Sequence, residues 1–112
     1  MQYRQLGNSG VRVSVIGLGT NRFGTDVTTQ EVINNIISAC VEQGINFLDT
    51  ANVYQGTRSE ERLGIALKGR WDKFVVATKF SMKMGEGPND TGASRYHMMN
   101  SIEASLRRRP TG

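Results

Sequence analysis

The sequence predicts an α/β fold in which helices pack against a parallel sheet. Short apolar segments alternate three times with segments of helical periodicity. The connections between the apolar segments are long enough for the crossovers that parallel strands require. At 112 residues the chain can bury one modest core. A barrel and an open sheet both fit these observations.

A β-hairpin is predicted over residues 2–14. The segments Tyr3–Leu6 and Val11–Ser14 alternate around Gly7–Gly10, a turn rich in glycine and polar residues. The apolar run Val15–Gly19 then predicts a buried strand, whose two glycines would let another group approach the backbone closely.

The first strand-helix unit is predicted to span residues 15–44. Thr28 and Glu31 have capping-box spacing at the start of its helix, and Gly44 supplies a stop. Between them, apolar residues recur at helical spacing. They are Val32, Ile33, Ile36, Ile37, Cys40 and Val41.

The second unit is predicted over residues 45–70. Ile45–Leu48 is its strand, which leads to Asp49, and its helix opens at Ser59–Glu61. The residues expected to be buried by this helix are Leu63, Ala66 and Leu67.

The third unit is predicted over residues 73–109. Phe74–Ala77 reads as a buried strand, the polar stretch Met82–Gly92 as a loop, and a helix begins near Ser94. The residues that this helix should bury are Met98, Ile102 and Leu106.

Three polar residues are expected at or just beyond the carboxyl ends of these strands: Asp49, Tyr54 and Lys79. Active sites of parallel α/β folds lie at that edge. A tyrosine is a poor proton donor at neutral pH unless a cation stabilises its phenolate, and Lys79 could be that cation. A carboxylate such as Asp49 could keep the ammonium charged. Taken singly, Asp49 could cap a turn, Tyr54 could be an interface aromatic and Lys79 could extend into water.

Together these residues carry a family resemblance. Asp49-Thr-Ala-Asn-Val-Tyr54, followed by Thr78-Lys79 at the end of a later strand, resembles the aldo-keto reductases. Ser59-Glu-Glu-Arg-Leu-Gly64 and Gly17-Leu-Gly-Thr20 are similar to further family segments, as is the run from Ser101 to Arg108. The resemblance extends from Tyr3 to Arg108.

The resemblance implies a fold and a reaction. The fold would be the N-terminal part of a (β/α)8 TIM barrel, with the hairpin closing its floor. The reaction would be reduction of a small-molecule aldehyde or ketone by NADPH, with Tyr54 as general acid, tuned by Asp49 and Lys79. Thr20, Asn21 and Asp49 would contact the cofactor. The alternative is a non-enzymatic role, since the family includes channel-associated subunits.

One catalytic residue of the family pattern is missing. Its histidine, at the end of the next strand, should lie beyond Arg109, and the chain stops at Gly112. His97 is expected to be an exposed helix residue and no replacement for it. We therefore expect a truncated barrel that is inactive alone and tends to self-associate through its unpaired edges.

Composition and motifs exclude several other classes. The net charge of +4 is scattered apart from Arg107–Arg109, which reads as a solvated helix end, so nucleic acid is not an expected partner. No apolar run is long enough to cross a membrane. A single cysteine, Cys40, and the lack of a secretory pattern favour the cytoplasm. Gly17 and Gly19 do not start a dinucleotide fingerprint, because Arg22 stands where the third glycine should be.

Overall fold

The computed structural model describes residues 1–108. The predicted end of the third unit at residue 109, and Arg109 itself, lie outside the described residues. Within the described residues five strands and three helices follow one another, and a 3-10 turn at Trp71–Lys73 lies between the second helix and the last strand. They are β1 (Tyr3–Gln5), β2 (Arg12–Ser14), β3 (Gly17–Gly19), α1 (Gln30–Gln43), β4 (Phe47–Asp49), α2 (Arg58–Ala66), β5 (Val75–Ala77) and α3 (Arg95–Arg108).

The predicted hairpin is confirmed. β1 and β2 pair antiparallel, with Tyr3 opposite Ser14, and the turn between them places Gly7 and Gly10 at positive φ. The Tyr3 hydroxyl donates a 2.8 Å hydrogen bond to the carbonyl of Gly44. This bond ties the hairpin to the end of α1.

The other three strands form one parallel sheet in the order β3-β4-β5. Gly19, Asp49 and Ala77 stand in register, so the three strands end together. The predicted strand is present as Gly17–Gly19, but the expectation that it is buried is wrong. Gly17 and Gly19 are exposed, as are Val15 and Ile16 before them, and β3 pairs only with β4 within the described residues. β5, at the opposite edge, is half-buried rather than buried.

α1 and α2 cover this sheet and supply most of the core. The predicted stripe of α1 is only partly correct, since Ile33, Ile37 and Cys40 are buried while Val32 and Val41 are exposed. The predicted burial by α2 is confirmed. The core cluster consists of Phe23, Ile33, Ile37, Leu48, Leu63, Ala66 and Leu67.

The ends of α1 lie close to the predicted positions. Gly44 ends the helix in the left-handed conformation, at φ 79°, as expected. The N-cap is Thr29 rather than Thr28, and its hydroxyl accepts a 3.4 Å hydrogen bond from the Val32 amide. The predicted N-cap is therefore one residue too early, and the predicted capping box does not form, because the third residue after Thr29 is Val32. Thr28 instead accepts a hydrogen bond from the Thr25 hydroxyl, inside the preceding loop.

α3 begins where the sequence predicted but buries the neighbouring stripe of side chains, one residue earlier and about 100° around the helix. The Ser94 hydroxyl caps it by accepting a 3.0 Å hydrogen bond from the His97 amide. The residues expected to be buried, Met98, Ile102 and Leu106, are exposed. The buried ones are His97, Ser101 and Ser105. Small polar side chains on this face let the helix pack against α2. His97, expected to be exposed, is 4% exposed.

Candidate active site

Asp49, Lys79 and Tyr54 lie together at the carboxyl edge of the parallel sheet. The Lys79 ammonium is 2.7 Å from a carboxylate oxygen of Asp49 and donates a second hydrogen bond, of 2.9 Å, to the carbonyl of Thr50. The same ammonium stands 5.1 Å from the centre of the Tyr54 ring. The three residues thus form one cluster with the lysine at its centre.

Backbone hydrogen bonds that continue past the strands hold this cluster. The Thr50 amide donates to the carbonyl of Ala77 (2.8 Å), and the Asn52 amide donates to the carbonyl of Lys79 (3.1 Å). The segment between β4 and Tyr54 therefore runs alongside the segment that leaves β5. Lys79 is positioned by its main chain as well as by its side chain.

The charge of Lys79 is stabilised within the cluster. Partial burial alone would lower the pKa of Lys79, but hydrogen bonds and electrostatic interactions with Asp49 and with Tyr54 outweigh it, and the pKa is raised above its usual value. About half of each side chain of the Lys79–Asp49 pair remains exposed. The lysine is therefore a charged group within reach of solvent and of a small molecule.

Three buried hydroxyl groups lie beneath the cluster. The Thr20 hydroxyl donates to the carbonyl of Asp49 (3.0 Å), and the Ser59 hydroxyl donates to the carbonyl of Thr20 (2.8 Å). The Thr50 and Ser59 hydroxyls are 3.1 Å apart. This network joins the ends of β3 and β4 to the first turn of α2. The side chain of Thr20, a predicted cofactor contact, is buried in it and does not face the open edge.

Asn21, the other predicted contact beyond β3, is exposed. Its carbonyl accepts a 2.8 Å hydrogen bond from the side-chain amide of Gln55, which follows Tyr54. Gly24 approaches the same turn: a Cβ atom added there would lie 2.7 Å from the Cβ of Arg58, and its φ is 107°. The loop after β3 is thereby docked onto the turn that carries Tyr54.

Sequence reasoning missed a buried ion pair behind the site. The Glu60 side chain is 1% exposed, and one of its carboxylate oxygens lies 2.8 Å from an Arg108 guanidinium nitrogen. The other accepts a 2.9 Å hydrogen bond from the Thr78 hydroxyl, next to Lys79. The sequence pattern places Glu60 only at the start of a helix. Its i+3 and i+4 neighbours, Leu63 and Gly64, share the buried side and could have shown which face it occupies.

A cavity of about 180 Å³ opens directly in front of Tyr54 and Lys79. Its other walls come from the β4–α2 turn and from the loop after β5. They include Asn52, Val53, Phe80 and Met82. Apolar walls around a phenol and an ammonium suit a small molecule with one polar group.

The family model of the aldo/keto reductases matches residues 15–111. The chain belongs to the aldo/keto reductase family. The "Probable voltage-gated potassium channel subunit beta" of Arabidopsis thaliana is 39% identical, and the protein of the same description from rice, Oryza sativa subsp. japonica, is 40% identical. Each match covers 96% of this chain and 34% of the relative, so the chain spans about a third of their length.

Solved structures agree with the fold. Two structures assigned as an aldo-keto reductase from Pseudomonas aeruginosa match with a TM-score of 0.83, at 34% and 36% identity. They cover 96% of this chain, which corresponds to 41% and 42% of theirs. The predicted fold class, a hairpin followed by strand-helix units of an aldo-keto reductase, is confirmed.

Two kinds of feature are not found in the part of the chain that the structure describes. No cluster of three histidine, cysteine or acidic side chains is arranged to hold a metal ion. No helix within residues 1–108 has the length and apolar character needed to span a membrane.

Proposed function

We propose that a barrel built on this chain reduces aldehydes or ketones with NADPH, as the resemblance of its residues implied. The observation that carries the proposal is the position of Lys79, which contacts the Asp49 carboxylate and faces Tyr54. Membership of the family supports the reaction class. Tyr54 would be the general acid, and Asp49 and Lys79 would tune it.

The chemistry assigned to the chain is the proton transfer. NADPH, when bound, supplies the hydride that reaches the carbonyl carbon. The Tyr54 hydroxyl gives its proton to the carbonyl oxygen as that oxygen gains charge, and the phenolate left behind faces the Lys79 ammonium. Asp49 keeps the lysine charged and in place. A proton from solvent then restores the tyrosine.

The residues present fit one end of the cofactor. Half of the Asp49 side chain is exposed, so its second carboxylate oxygen can accept a hydrogen bond from a ribose hydroxyl. A Cβ atom added at Gly19, at the end of β3, would meet nothing within 4 Å, which leaves room for a flat ring there. Asn21 borders the same edge. Thr20 would contribute through its backbone and its support of Asp49, because its hydroxyl is already bonded.

The test joins this chain to the remaining strands of a relative and measures carbonyl-dependent oxidation of NADPH. Tyr54→Phe should lower turnover by about 10²–10⁴-fold, because general acid catalysis is lost. Tyr96→Phe is the matched control, since Tyr96 is an exposed tyrosine on α3. Unchanged turnover in the Tyr54 variant would refute the proposal.

For the 112-residue chain alone we propose no turnover and a tendency to self-associate in the cytoplasm. β3 and β5 each have one edge that no described strand covers, and the exposed Met98, Ile102 and Leu106 lie on the unburied face of α3. Sedimentation velocity should show species larger than a monomer at micromolar concentration. A single monomeric boundary would contradict this expectation.

A second candidate is a subunit that binds a channel, because the two plant relatives are described as potassium channel beta subunits. Binding of the completed barrel to the cytoplasmic part of such a channel would be measured by co-sedimentation. If binding is the function, Tyr54→Phe should leave it unchanged and wild-type reductase turnover should be absent. No binding by the wild-type barrel would exclude this candidate.

A further inference from the structure

Two buried polar side chains border one cavity beside the candidate active site. Asn52 is 2% exposed and His97 is 4% exposed. The Asn52 side-chain oxygen and the His97 Nε2 atom have no hydrogen-bond partner within residues 1–108. Both residues line a cavity of about 110 Å³, together with Asp90, Asn100 and Arg108. Buried polar atoms without partners are costly, so these two atoms call for an explanation.

The backbone brings the two residues to the same place. The Asn52 amide donates to the carbonyl of Lys79, and the next residue, Phe80, packs its ring 5.7 Å from the His97 ring. Ser94 fixes His97 in the first turn of α3. His97 thus packs against Phe80, the residue that follows Lys79, and the Lys79 carbonyl is bonded to the Asn52 amide.

The buried face of α3 gives a second reason to look for a role. His97, Ser101 and Ser105 recur every four residues on this face, and the two serines fill little space. An apolar residue at position 97 would satisfy packing against Phe80 without leaving a polar atom buried. A histidine in this position is explained if its Nε2 atom bonds to something.

We propose that His97 is a positioning residue, which bonds the Asn52 side chain across this cavity and so fixes the turn that carries Tyr54. The bond forms directly after a rotation of the Asn52 amide, whose terminal torsion is soft, or through one water molecule. Asn52 lies two residues before Tyr54, and its backbone is bonded to Lys79. Restraining the Asn52 side chain therefore restrains both the turn that carries Tyr54 and the main chain at Lys79. The consequence for catalysis rests on the proposed function, whereas the bond itself does not.

The first test uses the 112-residue chain and a double-mutant cycle of His97→Phe and Asn52→Ala. The phenylalanine keeps a ring against Phe80. We expect the unfolding equilibrium constant of the double variant to differ at least fivefold from the product of the single effects. Agreement within twofold would overturn the proposal. Asn100→Ala, at an exposed residue lining the same cavity, is the control and should combine with His97→Phe multiplicatively.

The second test follows the Tyr54 ring resonances by NMR, with the signals of Tyr3, in the hairpin, as the internal reference. His97→Phe should shift the Tyr54 signals and leave the reference signals in place, and His97→Gln, which keeps a donor, should restore them. Tyr54 signals that do not move would overturn the positioning role, even if the cycle shows coupling. Should the variants not fold, slow exchange of the His97 Nε2 proton in the wild-type chain supports the bond, and exchange at the solvent rate overturns it.

The third test separates this inference from the proposed function. In the completed barrel, His97→Phe should lower kcat about tenfold with KM changed less than twofold, and His97→Gln should recover most of the loss. If the double-mutant cycle shows no coupling between His97 and Asn52 while Tyr54→Phe still abolishes turnover, only the positioning role is refuted. If the coupling is present while Tyr54→Phe leaves turnover unchanged, only the proposed reductase function is refuted.

Discussion

Replacing Arg108 with methionine should destabilise the chain by about 3 kcal/mol, the lower end of the range for breaking a buried ion pair. The lower end applies because Glu60 is 1% exposed while Arg108 is 20% exposed, so water can partly solvate the arginine side of the site. An exposed pair would contribute only about 0–1 kcal/mol. In the variant, Glu60 would keep one side-chain donor, the Thr78 hydroxyl at 2.9 Å.

The measurement is urea unfolding monitored by circular dichroism. The slope of the unfolding free energy against urea concentration is compared between variants. Glu60→Gln combined with Arg108→Met should recover at least half of the loss, because the amide can still accept from Thr78 and carries no charge to leave buried. Lys83→Met is the control, since Lys83 forms an exposed pair with Glu86. A loss below about 1 kcal/mol for Arg108→Met would show that water reaches Glu60 and that the pair behaves like one at the surface.

Three further changes test the support of the site. Ser59→Ala should cost about 1–3 kcal/mol in urea unfolding, because the buried Thr50 hydroxyl loses its partner and the Thr20 carbonyl keeps only the Phe23 amide as a donor; a neutral effect would mean that water replaces the serine hydroxyl. Gly24→Ala should cost a similar amount, about 1–3 kcal/mol, through its φ of 107° and the approach to Arg58, and Gly56→Ala, with nothing within 4 Å, should cost less. Lys79 has a raised pKa in the folded chain, so its contribution of about 0.5 kcal/mol is present below the unfolded pKa and is lost as pH rises through the folded one. Lys79→Met should therefore destabilise at pH 8 and converge towards wild type once the pH exceeds the raised pKa of Lys79 in the folded chain, and a difference that does not shrink as the pH rises would contradict this.

The parts of the fold set by local sequence were predictable. Gly44 ends α1 because a left-handed residue is needed there, and Ser94 caps α3 because its hydroxyl can accept from the backbone. The cluster of Asp49, Tyr54 and Lys79 was predictable from strand ends, because parallel strands in register end at one edge. These features depend on short-range chemistry or on a regular sheet.

The direction of the Thr20 side chain was not predictable in the same way. Its position just past β3 suggested access to the open edge, but the carbonyl of Asp49 and the hydroxyl of Ser59 offer it partners inside. Both partners are distant in sequence, and they meet Thr20 only after the sheet and α2 have assembled. The orientation of such a side chain, which has two possible environments, is thus set by tertiary contacts that no local sequence pattern indicates.

The burial of the polar stripe of α3, rather than of the apolar stripe one residue further on, follows from the direction in which the sheet grows. The strands lie in the sheet in the same order as in the chain, β3-β4-β5. A right-handed crossover after β5 would therefore bring a further parallel strand to the edge of β5 that faces away from β4. A cavity of about 340 Å³ lies at that edge, lined by Phe80, Met98 and Ile102. Hydrophobic periodicity shows that Met98, Ile102 and Leu106 form an apolar stripe, but it does not show which neighbouring element buries that stripe. The relatives, about three times as long as this chain, have the additional length from which such a strand could come. The polar face of α3, with His97 at its start, is the one that packs towards α2 and against Phe80.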